Sequence, residues 1–221
     1  MQRTHSTGAT ADYLSLAREL RRAIVRGDYV PHQRLTERAL EQRYSAPRSA
    51  VRNALISLVH SGLIEHTPYQ GVRVRKATAK EIAPLLEASS AIQELCAQKA
   101  AVALSASDVI MLTSIRNSYR SASSFAELST VLMFHARVCG LLGRFGRQPV
   151  SVEMLEQLDD RLHQHLLTEK RIPDVAAPLS ALTDRLVDAV IASDPAAAVA
   201  AIRDRTVFLI RQVRGARREG K

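Results

Sequence analysis

Aromatic side chains are scarce in this chain: Trp is absent, and Phe and Tyr together make up only 4% of its 221 residues. Its hydrophobic residues, 46% of the chain, are therefore mostly Leu, Ala, Val and Ile, in an amount sufficient for a packed core. Because Ala and Leu are strong helix formers, whereas sheets favour aromatic residues, this composition favours helices over sheets.

Cysteine and long apolar runs are also scarce. Cys96 and Cys139 are too far apart for a CxxC-type metal motif, and both lie in apolar sequence, where a buried reduced thiol is the usual role. No apolar run approaches the ~20 residues of a membrane-spanning helix, and residues 1–11 are too polar for a signal peptide. We therefore expect a cytoplasmic protein with no membrane partner.

Motifs of phosphate-binding and nucleophilic enzymes are missing too. The sequence has no Gly-rich phosphate loop, Walker motif or nucleophile elbow. We therefore expect a protein that is not an enzyme and that carries no cofactor.

The charge is unevenly spread along the chain. Residues 1–76 carry 13 Lys and Arg against 6 Asp and Glu, whereas residues 77–205 carry 13 against 15. Residues 206–221 are again basic, with 5 against 1. A basic module joined to a near-neutral one predicts a part that binds a polyanion and a body that binds something else.

The basic module has the pattern of a winged helix-turn-helix. Apolar residues at helical spacing predict three helices, at 12–26, 37–44 and 47–60, with Pro47 at the first position of the third. Residues 63–66 and 71–75 then alternate or are β-branched, which predicts a β-hairpin. Three helices followed by a hairpin is the order of elements in that fold.

The rest of the chain has only helical periodicity. It predicts helices near 81–104, 107–123, 125–142, 151–168, 175–193 and 195–213, with Ser107 and Asp194 as N-cap candidates. The predicted fold is mainly α, a winged helix-turn-helix followed by an all-α bundle of six or seven helices. The predicted domain boundaries are a flexible leader at 1–11, the DNA-binding domain at 12–76, a linker at 77–80, the helical domain at 81–213 and a flexible basic tail at 214–221.

The third predicted helix has the chemistry of a recognition helix. Arg48, Ser49, Arg52 and Asn53 fall on one side of it, and its apolar residues fall mostly on the other. Arg can bond the O6 and N7 atoms of guanine in a bidentate fork, and two Arg one turn apart reach neighbouring base pairs. A solvated basic face is the alternative, but the position between a turn and a wing favours DNA binding.

Residues 12–76 resemble the DNA-binding domain of the GntR family. The motifs that carry the likeness are Arg34-Leu35, the run from Pro47 to Leu55 (PRSAVRNAL), Gly62-Leu63 and Gly71 at the wing tip. The resemblance implies DNA contacts from Arg34, Arg48 and Arg52, with Gly71 close to the minor groove. The full set of candidate DNA-binding residues is Arg34, Thr36, Arg48, Ser49, Arg52, Asn53, Gln70 and Gly71.

Three residues depart from the pattern of that family. His32 stands where Gly is usual, Pro47 where Ser commonly opens the recognition helix, and Asn53 where Glu is usual. The last two changes alter the recognition helix itself, so we expect an operator different from the usual one.

The helical part resembles the FadR-type FCD effector-binding domain through Glu94, Phe134-His135, Ala189-Val190 and Asp194. Many members bind a divalent metal through an Asp, a His four residues later and two further His. Here only His135 fits, because Val131, Thr183 and Arg205 occupy the other positions. One imidazole cannot replace four ligands, so we expect no metal.

Without a metal, the fixed charge of Arg205 can anchor a carboxylate effector. Ser90, Arg116, His135 and Arg205 are the candidate effector-binding residues. The predicted function is a homodimeric, nucleoid-associated transcription regulator, most simply a repressor, that binds an inverted-repeat operator in double-stranded DNA and responds to a small molecule. A metal sensor with nonstandard ligands and a helical small-molecule-binding protein that does not act on DNA are the alternatives.

Overall fold

The computed structural model describes residues 7–67, 71–76, 78–122, 127–168 and 175–218. It divides into two compact units, Met1–Ala77 and Thr78–Lys221. The mainly helical fold predicted from the sequence is confirmed, with a small antiparallel sheet in the first unit and helices throughout the described part of the second. None of the described helices is both long and apolar enough to cross a membrane.

The first unit consists of three helices and a three-stranded sheet. Its elements are α1 (Thr7–Arg26), β1 (Arg34–Leu35), α2 (Glu37–Tyr44), α3 (Arg48–His60), β2 (Ile64–Thr67) and β3 (Gly71–Val74). β2 and β3 form the predicted hairpin, and β1 adds to the free edge of β3 with Arg34 opposite Arg73. The short β1 was not predicted, because two residues are too few to show a strand period.

The core of this unit lies between α1, α3 and the sheet. Leu20, Ile24, Val51, Leu63 and Val74 are each at most 1% exposed. Burying a side chain of this size stabilises the fold by about 1.5–3 kcal/mol, so this cluster fixes the orientation of α3 on the unit. The side of α3 opposite to the cluster faces solvent.

Three helix ends in this unit can be compared with the sequence-based predictions. Thr36 is the N-cap of α2, and its Oγ1 accepts a hydrogen bond from the Ala39 amide at 3.3 Å. Pro47 is the N-cap of α3, so its predicted placement at the first helical position is wrong by one residue. α1 begins at Thr7, so residues 7–11 belong to it and not to a leader.

His32 adopts a left-handed backbone conformation, with φ of 67°. Its side chain is exposed and its amide donates to the Val74 carbonyl at 2.9 Å, which ties the turn before β1 to the sheet. This is the position at which the resembled family usually has Gly. The conformation costs an L-residue roughly 1–2 kcal/mol relative to the right-handed region, whereas Gly adopts it freely.

We expect His32→Gly to raise the free energy of unfolding by about 0.5–1 kcal/mol, the relief of strain less the entropy that Gly adds to the unfolded chain. Urea denaturation of the full chain measures it. His32→Ala keeps the Cβ atom and is the control, for which no stabilisation is expected. Equal stability of the Gly and Ala variants would contradict the strain at this turn.

The second unit is a bundle of helices. Its described elements are α4 (Ala79–Ala101), α5 (Ala106–Arg120), α6 (Leu128–Phe145), α7 (Pro149–Thr168), α8 (Ala176–Ile191) and α9 (Pro195–Arg218). α6 is the most enclosed of them, with Phe134 and Leu142 fully buried against α4 and α8. The bundle therefore brings side chains of α4, α6, α8 and α9 towards one interior.

Several predicted boundaries in this unit need correction. α5 is capped by Ser105, whose Oγ accepts from the Asp108 amide at 3.3 Å, and not by Ser107. The predicted cap Asp194 is confirmed, because its Oδ1 accepts from the Ala197 amide at 2.9 Å. α9 extends to Arg218, so residues 214–218 are helical and were wrongly assigned to a flexible tail.

Candidate nucleic-acid interface and effector cavity

The solvent-facing side of α3 presents the four polar residues predicted to read DNA. Arg48, Ser49, Arg52 and Asn53 are exposed. The apolar side is buried in the core of the unit, as shown by Ala50, Val51, Ala54, Leu55 and Leu58. This division lets the helix present donors outwards while its back is held by packing, which is the arrangement that a groove-binding helix needs.

One carboxylate holds both arginines of this helix. Glu37, the first residue of α2, accepts from Arg48 Nε on Oε2 and from Arg52 Nε on Oε1, each at 2.9 Å. The side chains of Arg48 and Arg52 remain 67% and 55% exposed, so the contact orders them without removing them from solvent. We call this group, Glu37 with Arg48 and Arg52, the arginine clamp.

Hydrogen bonds from Arg52 and Arg48 lower the pKa of Glu37 below its ordinary value. A carboxyl group whose pKa is lower in the folded state than in the unfolded state adds stability above its ordinary pKa. That contribution is lost as the pH falls through the lowered pKa. The clamp is therefore intact at neutral pH.

Arg34 and Gly71 lie together at the sheet. Gly71 has a φ of 82°, which favours Gly, and a Cβ atom built on it would lie 3.9 Å from Arg34 Nε. On the same sheet Arg73 donates from Nε to Glu65 Oε1 at 2.6 Å. Gln70 lies outside the described residues. The structure thus places Arg34 beside the wing, and α3 presents the other arginines.

A cavity in the second unit collects polar side chains from several helices. It is lined by Leu86, Ser89, Gln93, Leu132, His135, Ala136, Asp159, Leu162, Leu166, Arg205, Thr206 and Leu209. The centre of a water-sized sphere can move within about 20 Å³ of this cavity. That space holds a water molecule but not a metabolite. A ligand larger than water therefore has to displace part of this lining.

Arg205 is the unusual residue of the cavity. Only 7% of it is exposed, and its Nε finds no hydrogen-bond partner among the described residues. Burial lowers the pKa of Arg205 to about 10, against the attraction of Cys139 and Asp159. The guanidinium therefore stays charged at neutral pH in a place where a charge costs free energy unless it is compensated.

His135 is held from three sides. Its Nδ1 lies 3.1 Å from Thr183 Oγ1, and its Nε2 lies 3.2 Å from Gln93 Oε1 and 3.4 Å from Cys139 Sγ. Thr183 in turn donates to the Leu179 carbonyl. The imidazole is thus engaged at both nitrogens by side chains of α4, α6 and α8.

These residues do not fit the metal that the FCD resemblance implies. Thr183 uses its hydroxyl on His135, Val131 offers no ligand atom, and Arg205 brings a positive charge to the same cavity. A cation beside a fixed guanidinium is repelled, and neither Thr nor Arg replaces an imidazole ligand. Among the residues that the structure describes, no group of three or more His, Cys, Asp or Glu is arranged to hold a metal ion.

Two of the four candidate effector-binding residues lie away from the cavity lining. Arg116 pairs with Asp188 on α8, at 2.5 Å between Nη1 and Oδ1. Ser90 is buried, donates to Glu94 and accepts from Thr206. Neither Arg116 nor Ser90 is in the cavity lining, which helical periodicity could not show because it does not say which neighbour a helix face meets, and their part in effector binding stays a prediction.

Sequence reasoning also missed polar residues of the lining. Ser89, Gln93, Asp159 and Thr206 line the cavity. Gln93 and Ser89 are one turn apart on α4 and hydrogen-bonded at 3.0 Å. Two buried polar residues one turn apart on an otherwise apolar helix face were a usable signal, since such groups need partners inside the fold.

Comparison with protein families gives one matching family model for each of the two units. The model described as "Bacterial regulatory proteins, gntR family" matches residues 12–74, and that of the FCD domain matches residues 84–205. The "Uncharacterized HTH-type transcriptional regulator YdhC" of Bacillus subtilis (strain 168) is 20% identical over 155 residues, which cover 70% of this chain and 69% of YdhC.

Solved structures share the fold over nearly the whole chain. "E. coli McbR/YncC" superposes with a TM-score of 0.78 at 18% identity, covering 92% of this chain and 97% of that one. The putative transcriptional regulator GntR from Rhodococcus sp. RHA1 superposes with a TM-score of 0.77 at 20% identity, covering 93% and 99%. At these identities the likeness is one of fold.

Proposed function

Since the chain belongs to the GntR family of bacterial regulatory proteins and carries an FCD effector-binding domain, we propose that it represses transcription from an operator until a small-molecule effector occupies its helical domain. Regulators of this family bind DNA and are not enzymes. The operator, the repressor action and the effector class are the parts of this proposal that experiment has to test.

The arginine clamp is the observation that carries the DNA-binding part. Arg48 and Arg52 are exposed, one helical turn apart and both hydrogen-bonded to Glu37 in the absence of DNA. In the proposal they read guanines in the major groove, Arg34 and Gly71 approach the minor groove beside the wing, and the remaining polar groups contact bases or phosphates. The proposed set is Arg34, Thr36, Arg48, Ser49, Arg52, Asn53, Gln70 and Gly71.

Two copies of the chain are proposed to act together. Two DNA-binding domains related by twofold symmetry read an inverted repeat. Its half-sites are separated by one helical turn of DNA or by a whole number of turns. An effector that changes the spacing of the two DNA-binding domains then changes the affinity for the operator. The coupling free energy between effector binding and DNA binding is about 1–3 kcal/mol. The proposed location is the cytoplasm, on nucleoid DNA.

A small carboxylate is the proposed effector, held without a metal. Arg205 supplies a buried charge whose Nε has no hydrogen-bond partner among the described residues, and the polar side chains of His135 and Gln93 line the same cavity. A bidentate carboxylate would compensate the guanidinium in the low-dielectric interior. This proposal assigns no effector role to Ser90 or Arg116.

Selection from randomised duplexes tests the DNA-binding part. The full-length protein should enrich an inverted repeat, and that repeat should also occur upstream of its own gene. Its affinity should fall steeply with salt because phosphate contacts release counterions. Recovery of unrelated sequences at the same affinity would contradict a role as a specific regulator.

A further inference from the structure

We propose that Glu37 sets how strictly Arg48 and Arg52 discriminate between bases. Glu37 is a positioning residue: it fixes both guanidinium groups before DNA arrives. This inference rests on the proposed reading of DNA by the two arginines. It makes Glu37 a determinant of base selectivity, although Glu37 does not itself need to contact a base.

The geometry leaves the reading edges of both arginines available. Glu37 engages each guanidinium through Nε alone, and no further hydrogen bond of Arg48 or Arg52 is found among the described residues. The Nη1 and Nη2 groups therefore keep their N–H donors. Those groups form the end of the fork that can bond guanine O6 and N7.

Because both bonds go to one carboxylate, they also fix the two guanidinium groups relative to each other. Oε2 takes Arg48 and Oε1 takes Arg52. Two long side chains that would otherwise sample many rotamers are thus held at one spacing. If the two side chains are ordered before DNA binds, less side-chain conformational entropy is lost on binding.

Glu37 is itself held in place. It is the first residue of α2, its side chain is 31% exposed, and the preceding residue, Thr36, caps the helix. A carboxylate at a helix N-terminus is stabilised by the helix dipole. The clamp therefore joins the N-terminal end of α2 to α3.

A carboxylate at a DNA-binding face repels phosphate, so its charge and its positioning act in opposite directions. Glu41, on the same helix, separates the two effects: it attracts Arg48 through charge, without a hydrogen bond to either arginine. Deleting either carboxylate removes one negative charge and should strengthen binding to all DNA. Only deletion of Glu37 should weaken the distinction between operator and other sequences.

The test compares Glu37→Ala with Glu41→Ala in the full-length protein. Fluorescence anisotropy gives the affinity for the duplex selected by the wild type and for a scrambled duplex at one salt concentration. We expect the ratio of operator affinity to scrambled-duplex affinity to fall roughly tenfold in Glu37→Ala, because two side chains then have to be ordered on binding. The ratio should stay unchanged in Glu41→Ala. Circular dichroism melts check that both variants fold, and Glu37→Gln, which keeps the shape and one acceptor oxygen, should give an intermediate ratio.

NMR of the arginine Nε–H groups provides a readout that needs no DNA. In the free wild type, the Arg48 and Arg52 Nε–H protons should exchange slowly with water, and both should exchange fast in Glu37→Ala but not in Glu41→Ala. Fast exchange in the wild type would overturn the clamp. A wild type without sequence preference would overturn the proposed function together with this inference. A selective wild type whose Glu37→Ala variant is equally selective would overturn this inference alone.

Discussion

Replacing Arg48 and Arg52 together by Ala will remove sequence-specific DNA binding and leave the fold intact. Each bidentate arginine–guanine contact is worth about 1–3 kcal/mol of discrimination, so the pair should cost about 2–6 kcal/mol on the operator. Both side chains are more than half exposed, so the melting temperature should change little. Each single variant should relax selectivity at a different base pair.

A charge-matched control separates base reading from general attraction. Arg18 and Arg22 are exposed on α1 of the same unit, so Arg18→Ala/Arg22→Ala removes the same charge from another surface. Affinities for operator and scrambled duplex, measured over a series of salt concentrations, report selectivity and phosphate contacts separately. If the Arg48/Arg52 variant weakens binding to both duplexes equally, the two arginines contact phosphates and do not read bases.

Arg205→Met will stabilise the protein and abolish its response to the effector. Arg205 is buried and attracted by Asp159, but its Nε has no hydrogen-bond partner among the described residues. This incompletely compensated charge raises the free energy of the folded state, so an apolar side chain of similar length should increase the free energy of unfolding by about 1–4 kcal/mol. The same substitution removes the charge that would hold a carboxylate, at a cost of about 2–5 kcal/mol in effector affinity. A gain in stability with a loss of response is typical of a residue kept for binding.

Arg203 is the matched control for this prediction. It lies on α9 near Arg205, but its side chain is 66% exposed and pairs with Glu94. A thermal-shift screen of small carboxylates against the wild type identifies a ligand, and release of operator DNA measures the response. Arg203→Met should keep that response, and a chelator should not reduce it. An Arg205→Met protein that responds normally, or a response lost on chelation, would contradict the metal-free anchor.

The recognition helix shows how far sequence reasoning reaches at this site. The exposed positions of Arg48, Ser49, Arg52 and Asn53 could be predicted because a helix repeats every 3.6 residues and its apolar residues mark the buried side. Glu37 could not be assigned to them in the same way. It lies 11 and 15 residues away on another helix, and its partners depend on how α2 packs against α3.

The cavity of the second unit shows the same limit. His135, Thr183 and Arg205 could be picked out by resemblance, but Ser90 and Arg116, also named as candidates, are not in the cavity lining. A helical period gives the direction of a side chain relative to its own helix axis, but not the rotation of that helix against its neighbours. One step along α4, from Ser90 to Ser89, therefore separates a residue outside the lining from one within it.

Three features of the sequence by themselves determined a mainly helical chain with a basic winged helix-turn-helix. They are the scarcity of aromatic residues, the uneven charge and the change of period near residue 63. They sufficed because composition and periodicity act locally, on each element alone. Tertiary structure decided the third strand, the left-handed turn at His32, the arginine clamp and the buried charge of Arg205. Each of these is a contact or a burial between elements distant in sequence, and its free energy depends on packing that no single segment encodes.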